Sequence, residues 1–178
     1  MRLLSGFFEL SFLSAPVAAQ RGPDRVGDSS MVAPTYAILR VIYDSAKSPA
    51  YSFTAGNVLD VAGANATEIQ ATFLAGDVAR VVAVTWGSAG KYGVEYYFRG
   101  DTLLFSFESF EFIAEVAPPG QWTNFKKLPA WERRVFWKNR EAGFVKSSGC
   151  PAQIDAGETA RILRTATTLR SMMRVRLS

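Results

Sequence analysis

Between Val94 and Phe107 the chain reads Val-Glu-Tyr-Tyr-Phe-Arg-Gly-Asp-Thr-Leu-Leu-Phe-Ser-Phe, two alternating aromatic-rich arms around a Gly-Asp turn. Alternation with period two on either side of a glycine-bearing turn specifies an antiparallel β-hairpin. Val94, Tyr96 and Phe98 fall on one face, and Glu95, Tyr97 and Arg99 on the other. Simple alternation beyond the turn groups Leu103, Phe105 and Phe107 against Leu104, Ser106 and Glu108. One face of this ribbon is strongly apolar and needs a cover, because soluble monomers rarely expose a patch of that size.

Weaker hairpins flank it. Glu68 to Leu74 and Val78 to Trp86 turn at Ala75-Gly76-Asp77. Trp131 to Lys138 and Ala142 to Lys146 turn near Asn139-Arg140, after a break at Pro118-Pro119-Gly120. Phe73, Phe98 and Trp137 each precede a turn, and an apolar residue re-enters five positions later at Val78, Leu103 and Ala142. The spacing of the units is unequal, which describes a meander of similar hairpins and not a solenoid.

Toward the C-terminus, Asp155-Ala-Gly-Glu158 has the spacing of a capping box. At 100° per residue Ile162, Ala166, Leu169 and Met173 share a face, with Arg161, Arg164, Thr168 and Ser171 opposite. Gly157 to Met173 therefore reads as an amphipathic helix lying on the sheet. Near the N-terminus, Pro34-Thr35 opens a short helix with Ile38, Val41, Ile42 and Ser45 on one face and a stop at Ser48-Pro49. Tyr51 to Ala66 is ambiguous, its Gly and Asn residues favouring turns. The fold class expected is α+β: an antiparallel meander of about six strands packed against a C-terminal helix and a short N-terminal one.

A length of 178 residues and a 48% apolar composition fit one domain with a real core, placed at residues 34–178. No apolar run reaches the roughly 18 residues needed to span a bilayer. Met1-Arg2, the largely apolar Leu3 to Val17 and the small residues ending at Gln20 have the layout of a secretory signal peptide, residues 1–20. Glu9 interrupts the apolar stretch, and residues 21–33 follow as a polar tether. Export to the periplasm or beyond is the expectation. The single Cys150 allows no internal disulfide.

The net charge of +4 is local. Arg161, Arg164, Arg170, Arg174 and Arg176 lie in the last twenty residues, and without them 15 of the 20 basic residues face 16 acids. A balanced remainder gives no broad nucleic-acid-binding surface, so nucleic acid is not an expected partner. An anionic envelope component remains one for the arginine-rich helix, whose simplest reading is a solvated outer face.

The run Glu95-Tyr-Tyr-Phe-Arg-Gly-Asp-Thr-Leu-Leu-Phe-Ser-Phe, with Ala71-Thr-Phe-Leu-Ala-Gly-Asp-Val before it and Trp131-Glu-Arg-Arg-Val-Phe-Trp after it, resembles a signature of small exported bacterial proteins of unknown function. Those carry a Tyr-Tyr-Phe, turn, Leu-x-Phe pattern, a later hairpin opening with Glu-Arg, and a closing mixed-charge helix. The resemblance spans Thr67 to Met173. It implies export and an α+β shape, and it brings no activity and no site residues with it.

Chemistry is bounded by the absence of histidine. That removes Ser-His-Asp and Cys-His activation and the commonest zinc ligand. With one Cys and no Asp-x-Asp-x-Asp-Gly loop, no metal or cofactor is expected. Gly87-Ser-Ala-Gly90-Lys91 lacks the spacing of a phosphate loop and reads as a hairpin connection. Cys150 beside Pro151, or Lys146 with Ser147 or Ser148, are weak nucleophile candidates. Glu108, Glu111 and Glu115 are the acids that a carboxylate-dependent hydrolase of envelope polysaccharide would need, though the solvent side of a strand accounts for Glu108 equally well. Tyr96, Phe98, Phe105 and Phe107 read as core. Tyr97, Trp122 and Trp131 are the aromatics expected at the surface, near Arg133, Arg134 and Arg140. Tyr, Trp and Arg dominate interface hot spots. The expected function is non-enzymatic binding of a protein or anionic envelope component through these six residues, with the hydrolase as alternative.

Overall fold

The computed structural model describes residues 24–45, 51–115 and 125–175. Strands β1 (Asp24–Gly27), β2 (Tyr51–Ala55), β3 (Thr67–Leu74), β4 (Asp77–Trp86), β5 (Gly90–Arg99), β6 (Thr102–Glu115), β7 (Phe125–Lys138) and β8 (Glu141–Ser148) form one sheet in the order β1-β8-β7-β6-β5-β4-β3-β2. Every neighbouring pair is antiparallel. Helices α1 (Val32–Ser45) and α2 (Ala156–Val175) complete an α+β architecture. The three hairpins are the pairs β3–β4, β5–β6 and β7–β8.

The sheet has eight strands where about six were expected. The added pair are its edges. β1 comes from the stretch read as a tether; at four residues it is too short to show a period. β2 comes from the ambiguous stretch, where Gly56-Asn57 directly after Ala55 masked the alternation of Tyr51, Phe53 and Ala55. The Pro-rich break is also shorter than expected, because β6 runs on to Glu115 and β7 starts at Phe125.

α2 covers one face. Ile162, Ala166, Leu169 and Met173 are all buried, as their spacing requires, and join Ile69, Val81, Val94, Tyr96 and Val135 in one core. The larger of these side chains on the helix, Ile162, Leu169 and Met173, each contribute about 1.5–3 kcal/mol relative to exposure. Asp155 caps the helix, its Oδ1 accepting the Glu158 N–H at 2.7 Å.

α1 covers the other face on its way from the β1 edge to the β2 edge. Leu39 and Ile42 pack with Ala79, Tyr97, Phe105, Phe136 and Phe144, and Tyr36 meets the Phe136 ring edge-on at 5.4 Å. The buried stripe is centred on Leu39 and Ile42, and Val41, expected to face inward, is 56% exposed. Ile38 is only partly buried.

Each hairpin carries a β-bulge at the third residue of its second strand. The register shifts opposite Thr72/Phe73, Tyr97/Phe98 and Phe136/Trp137, leaving Ala79, Leu104 and Gly143 as the extra residues. The aromatic recurring before each turn thus flanks a bulge. In the central hairpin Tyr97 pairs with Phe105 while Phe98 pairs with Leu103. One inserted residue inverts the faces of everything beyond it. Leu103 therefore lies under α2, Phe105 and Phe107 lie toward α1, and Ser106 and Glu108 turn inward under α2. The grouping expected from uninterrupted alternation does not hold. Tyr97, expected at the surface, is buried against Phe105 at 5.7 Å between ring centroids.

The C-terminal half of α2 is clasped by the aspartates of two turns. Arg170 donates to Asp101 at 2.6 Å and to Asp77 at 2.8 Å, and Arg174 reaches the same two carboxylates at 3.1 and 2.9 Å. Hydrogen bonding from Arg170 holds the Asp101 carboxyl below its ordinary range. Burial pulls Asp77 upward, but the Arg174 hydrogen bond, the Val78 N–H and the two guanidinium charges together outweigh it, and Asp77 also lies low. A carboxyl whose pKa is lower folded than unfolded adds stability above its unfolded value, 3.8 here, and loses it as pH falls through the folded value. Acid titration followed by circular dichroism is therefore expected to show helix loss beginning below about pH 4. Asp77→Asn should flatten that acid limb while lowering stability at neutral pH.

Candidate functional site

At the N-terminal end of α2 the sheet and helix enclose a half-open cavity of about 320 Å³, lined by Tyr92, Trp131, Arg133, Cys150, Pro151, Gln153, Glu158 and Arg161. Its floor is set by the register of three central strands. Val94 pairs with Glu108 and Glu108 with Arg133, so β5, β6 and β7 place these side chains in one row under α2. One step outward, Tyr92, Phe110 and Trp131 form the next row, with the Tyr92 and Trp131 rings 6.0 Å apart.

Glu108 is fully buried and its carboxylate is saturated. Oε1 accepts from Tyr92 Oη at 3.2 Å and Arg161 Nη2 at 3.0 Å; Oε2 accepts from Arg161 Nη2 at 3.1 Å and Arg133 Nη2 at 2.7 Å. Four donor contacts fill the roughly four acceptor sites of a carboxylate. Arg133 Nη2 also donates to Glu158 Oε1 at 2.6 Å, which joins the sheet to the first turn of α2. Two guanidinium groups thus balance two carboxylates. Burial, with the Glu108 charge added, pushes the Tyr92 phenol up, so it remains a neutral donor.

Arg133 has capacity left over. It is 5% exposed, its Nε is buried without a partner, and Nη1 makes no hydrogen bond among the described residues. Arg161 is 41% exposed and forms the mouth of the cavity. The Tyr96 hydroxyl, in the core under α2, is likewise buried without a partner. A buried hydroxyl with no acceptor contributes nothing to offset its desolvation. Tyr96→Phe is therefore expected to leave stability unchanged or raise it by under about 1 kcal/mol. Denaturant unfolding decides this, and a loss larger than that would mean the hydroxyl holds an ordered water.

The expected site residues are dispersed. Trp131 and Arg133 meet at the cavity. Arg134 lies on the opposite face, 5.0 Å over the Phe107 ring and paired with Glu132 at 2.9 Å. Arg140 sits in the β7–β8 turn, about 25 Å along the strand from Trp131 at the usual rise. Tyr97 is buried toward α1, where it donates to Glu95 at 2.9 Å beside Arg80. Trp122 and the Pro118–Gly120 stretch lie outside the described residues, as do residues 1–20, where a signal peptide was expected.

Other candidates are weakened by geometry. Glu108 and Glu111 occupy opposite faces of β6, since they pair with Val94 and Lys91. Lys146 and Ser147 likewise point to opposite faces of β8, and the Ser147 hydroxyl donates to the Cys150 carbonyl at 2.7 Å. Burial raises the Cys150 thiol, and the Arg133 charge does not overcome it. Its Sγ rests 3.7 Å from the Glu132 carbonyl. Among the described residues no group of three or more His, Cys, Asp or Glu could hold a metal, and no helix is long and apolar enough to cross a membrane.

Sequence reasoning missed Tyr92, Glu158 and Arg161 as partners of Arg133 and Glu108. One signal was present: Glu158 stands one turn before Ile162, about 50° from the centre of the apolar stripe, where a charge needs a partner. Comparison with protein-family models, curated proteins and solved structures finds no match for this chain.

Proposed function

We propose that this chain is an exported, non-enzymatic binding module that recognises a protein or anionic envelope component at the cavity beside the α2 N-terminus. Trp131 and Tyr92 supply ring surface, and Arg133 and Arg161 supply donors. The observation that carries this reading is Arg133, an almost fully buried guanidinium with unused N–H groups lining a half-open aromatic cavity. A volume of about 320 Å³ lies at the small end of ligand sites. Since Glu108 and Glu158 compensate both arginines, selectivity rests on directional donors and ring faces and not on net charge. The carboxylate-hydrolase alternative has less support, because Glu108 has no free lone pair to offer.

The test uses defined probes: an oligogalacturonate, phosphatidylglycerol vesicles, an acidic peptide and neutral maltotriose. An acidic probe is expected to raise the melting temperature of the wild type and leave that of Trp131→Ala unmoved. Equal shifts in both proteins, or none with any acidic probe, would overturn the reading. Export rests on the layout of residues 1–20. Mass spectrometry of the cell-made protein is expected to find the mature N-terminus near Gln20, and an intact Met1 would refute it.

A further inference from the structure

A second cavity, of about 390 Å³, lies at the opposite end of α2, where the β5–β6 and β7–β8 turns meet the helix. Its floor is apolar, made by Phe98, Leu103, Leu163 and Ala166. Its cations are Arg140, Arg170 and Arg174; its lining carboxylate is Asp101, with Asp77 behind. Arg170 is 6% exposed, stacked 5.1 Å over Phe98, and its Nε is buried without a partner. Arg174 shares the same two aspartates. Arg140 makes no ion pair or hydrogen bond among the described residues. Three cations against two acids leave one positive charge uncompensated at a cavity with an apolar floor.

The backbone at Arg140 adds an independent observation. Asn139 and Arg140 form the two-residue turn at φ +52° and +67°. A turn with both residues at positive φ favours Asn-Gly, because a Cβ crowds the backbone in that region. The first hairpin places Gly76 at the same position, φ +80°. Both residues of this strained turn line the cavity, and strain of this kind concentrates at ligand clamps.

We propose that this cavity binds an anionic amphiphile, a carboxylate or phosphate monoester on an alkyl or aryl body, with Arg140 taking the anionic head and the Phe98–Leu163 floor taking the apolar part. The site is separate from the one at Trp131 and stands or falls without it.

Isothermal titration of the full chain with decanoate and decyl phosphate, below micelle formation, tests this against decanol and inorganic phosphate. Both anionic amphiphiles are expected to bind, and the head alone or the neutral chain to bind at least about tenfold more weakly. Arg140→Gly relieves the turn, so it should raise the melting temperature while weakening decanoate about tenfold or more. Opposite movement of stability and affinity cannot come from unfolding. Thr167→Trp, placed on an exposed position of the lining, should block binding without loss of fold. Trp131→Ala should leave it unchanged. Decanol binding as well as decanoate, undiminished affinity in Arg140→Gly, or no binding of either anion at millimolar concentration would each overturn the proposal.

Discussion

Replacing Glu108 by alanine is expected to destabilise the protein by about 3–5 kcal/mol, the usual cost of leaving a buried partner charge uncompensated. Arg133, 5% exposed, would keep Glu158 as its one carboxylate partner, and Arg161 would keep only its 3.4 Å contact with the Tyr92 hydroxyl on the sheet. Against a typical total of about 5–15 kcal/mol this is a large fraction. Urea unfolding reads it as a fall in midpoint with little change in slope. The double variant Glu108→Leu, Arg133→Leu should recover much of the loss, since it removes both buried charges and leaves Glu158 beside Arg161. If the single variant cost under about 1 kcal/mol, the network would be no better than a surface ion pair.

The second large effect is at Phe136, whose ring lies 5.0 Å from Phe105, 5.7 Å from Phe144 and 5.4 Å from Tyr36 between centroids. Phe136→Ala is expected to cost about 3–5 kcal/mol through lost burial and the cavity left behind. Because this cluster lies on the α1 face, the damage should be directional. Hydrogen exchange in α1 should quicken more than in α2, whose core is the separate set around Ile162 and Leu169. Equal loosening of both helices would mean that the two faces unfold as one unit.

The hairpins and α2 were legible because each rests on a local period: two for the strands, 3.6 for the helix. The core stripe Ile162, Ala166, Leu169 and Met173 is the one the spacing indicates. The site was less legible because it depends on a bulge. Leu104 follows Leu103 in an apolar run, so nothing local marks it as the inserted residue. Counting straight through it sends Glu108 away from α2 and Phe107 under it, whereas Glu108 is buried under α2 and Phe107 packs toward α1. The same limit hid the arginines. Arg170 lies about 70° from the centre of the α2 stripe and Arg161 about 110°. Positions on the flank of a stripe go inward or outward according to what the sheet offers, and here it offers Glu108, Asp77 and Asp101. β1 could not be read at all from its four residues, because it is defined by its pairing with β8 at the far end of the chain.

The three bulges also set what kinds of genetic change this chain withstands. Leu104 is one residue of a strand, and another apolar side chain there alters packing by a modest amount. Loss of the codon is a different event. Removing one residue from β6 restores plain alternation beyond the turn, carrying Glu108 out of its pocket of donors and Phe107 under the helix together. A lineage carrying this fold can exchange Leu104 for another apolar side chain, while Ala79, buried against the α1 cluster, and Gly143, closed in by Met31, allow less. It is far less free to change the number of residues between each turn and the strand behind it. The length of these segments, more than their composition, holds the site in existence.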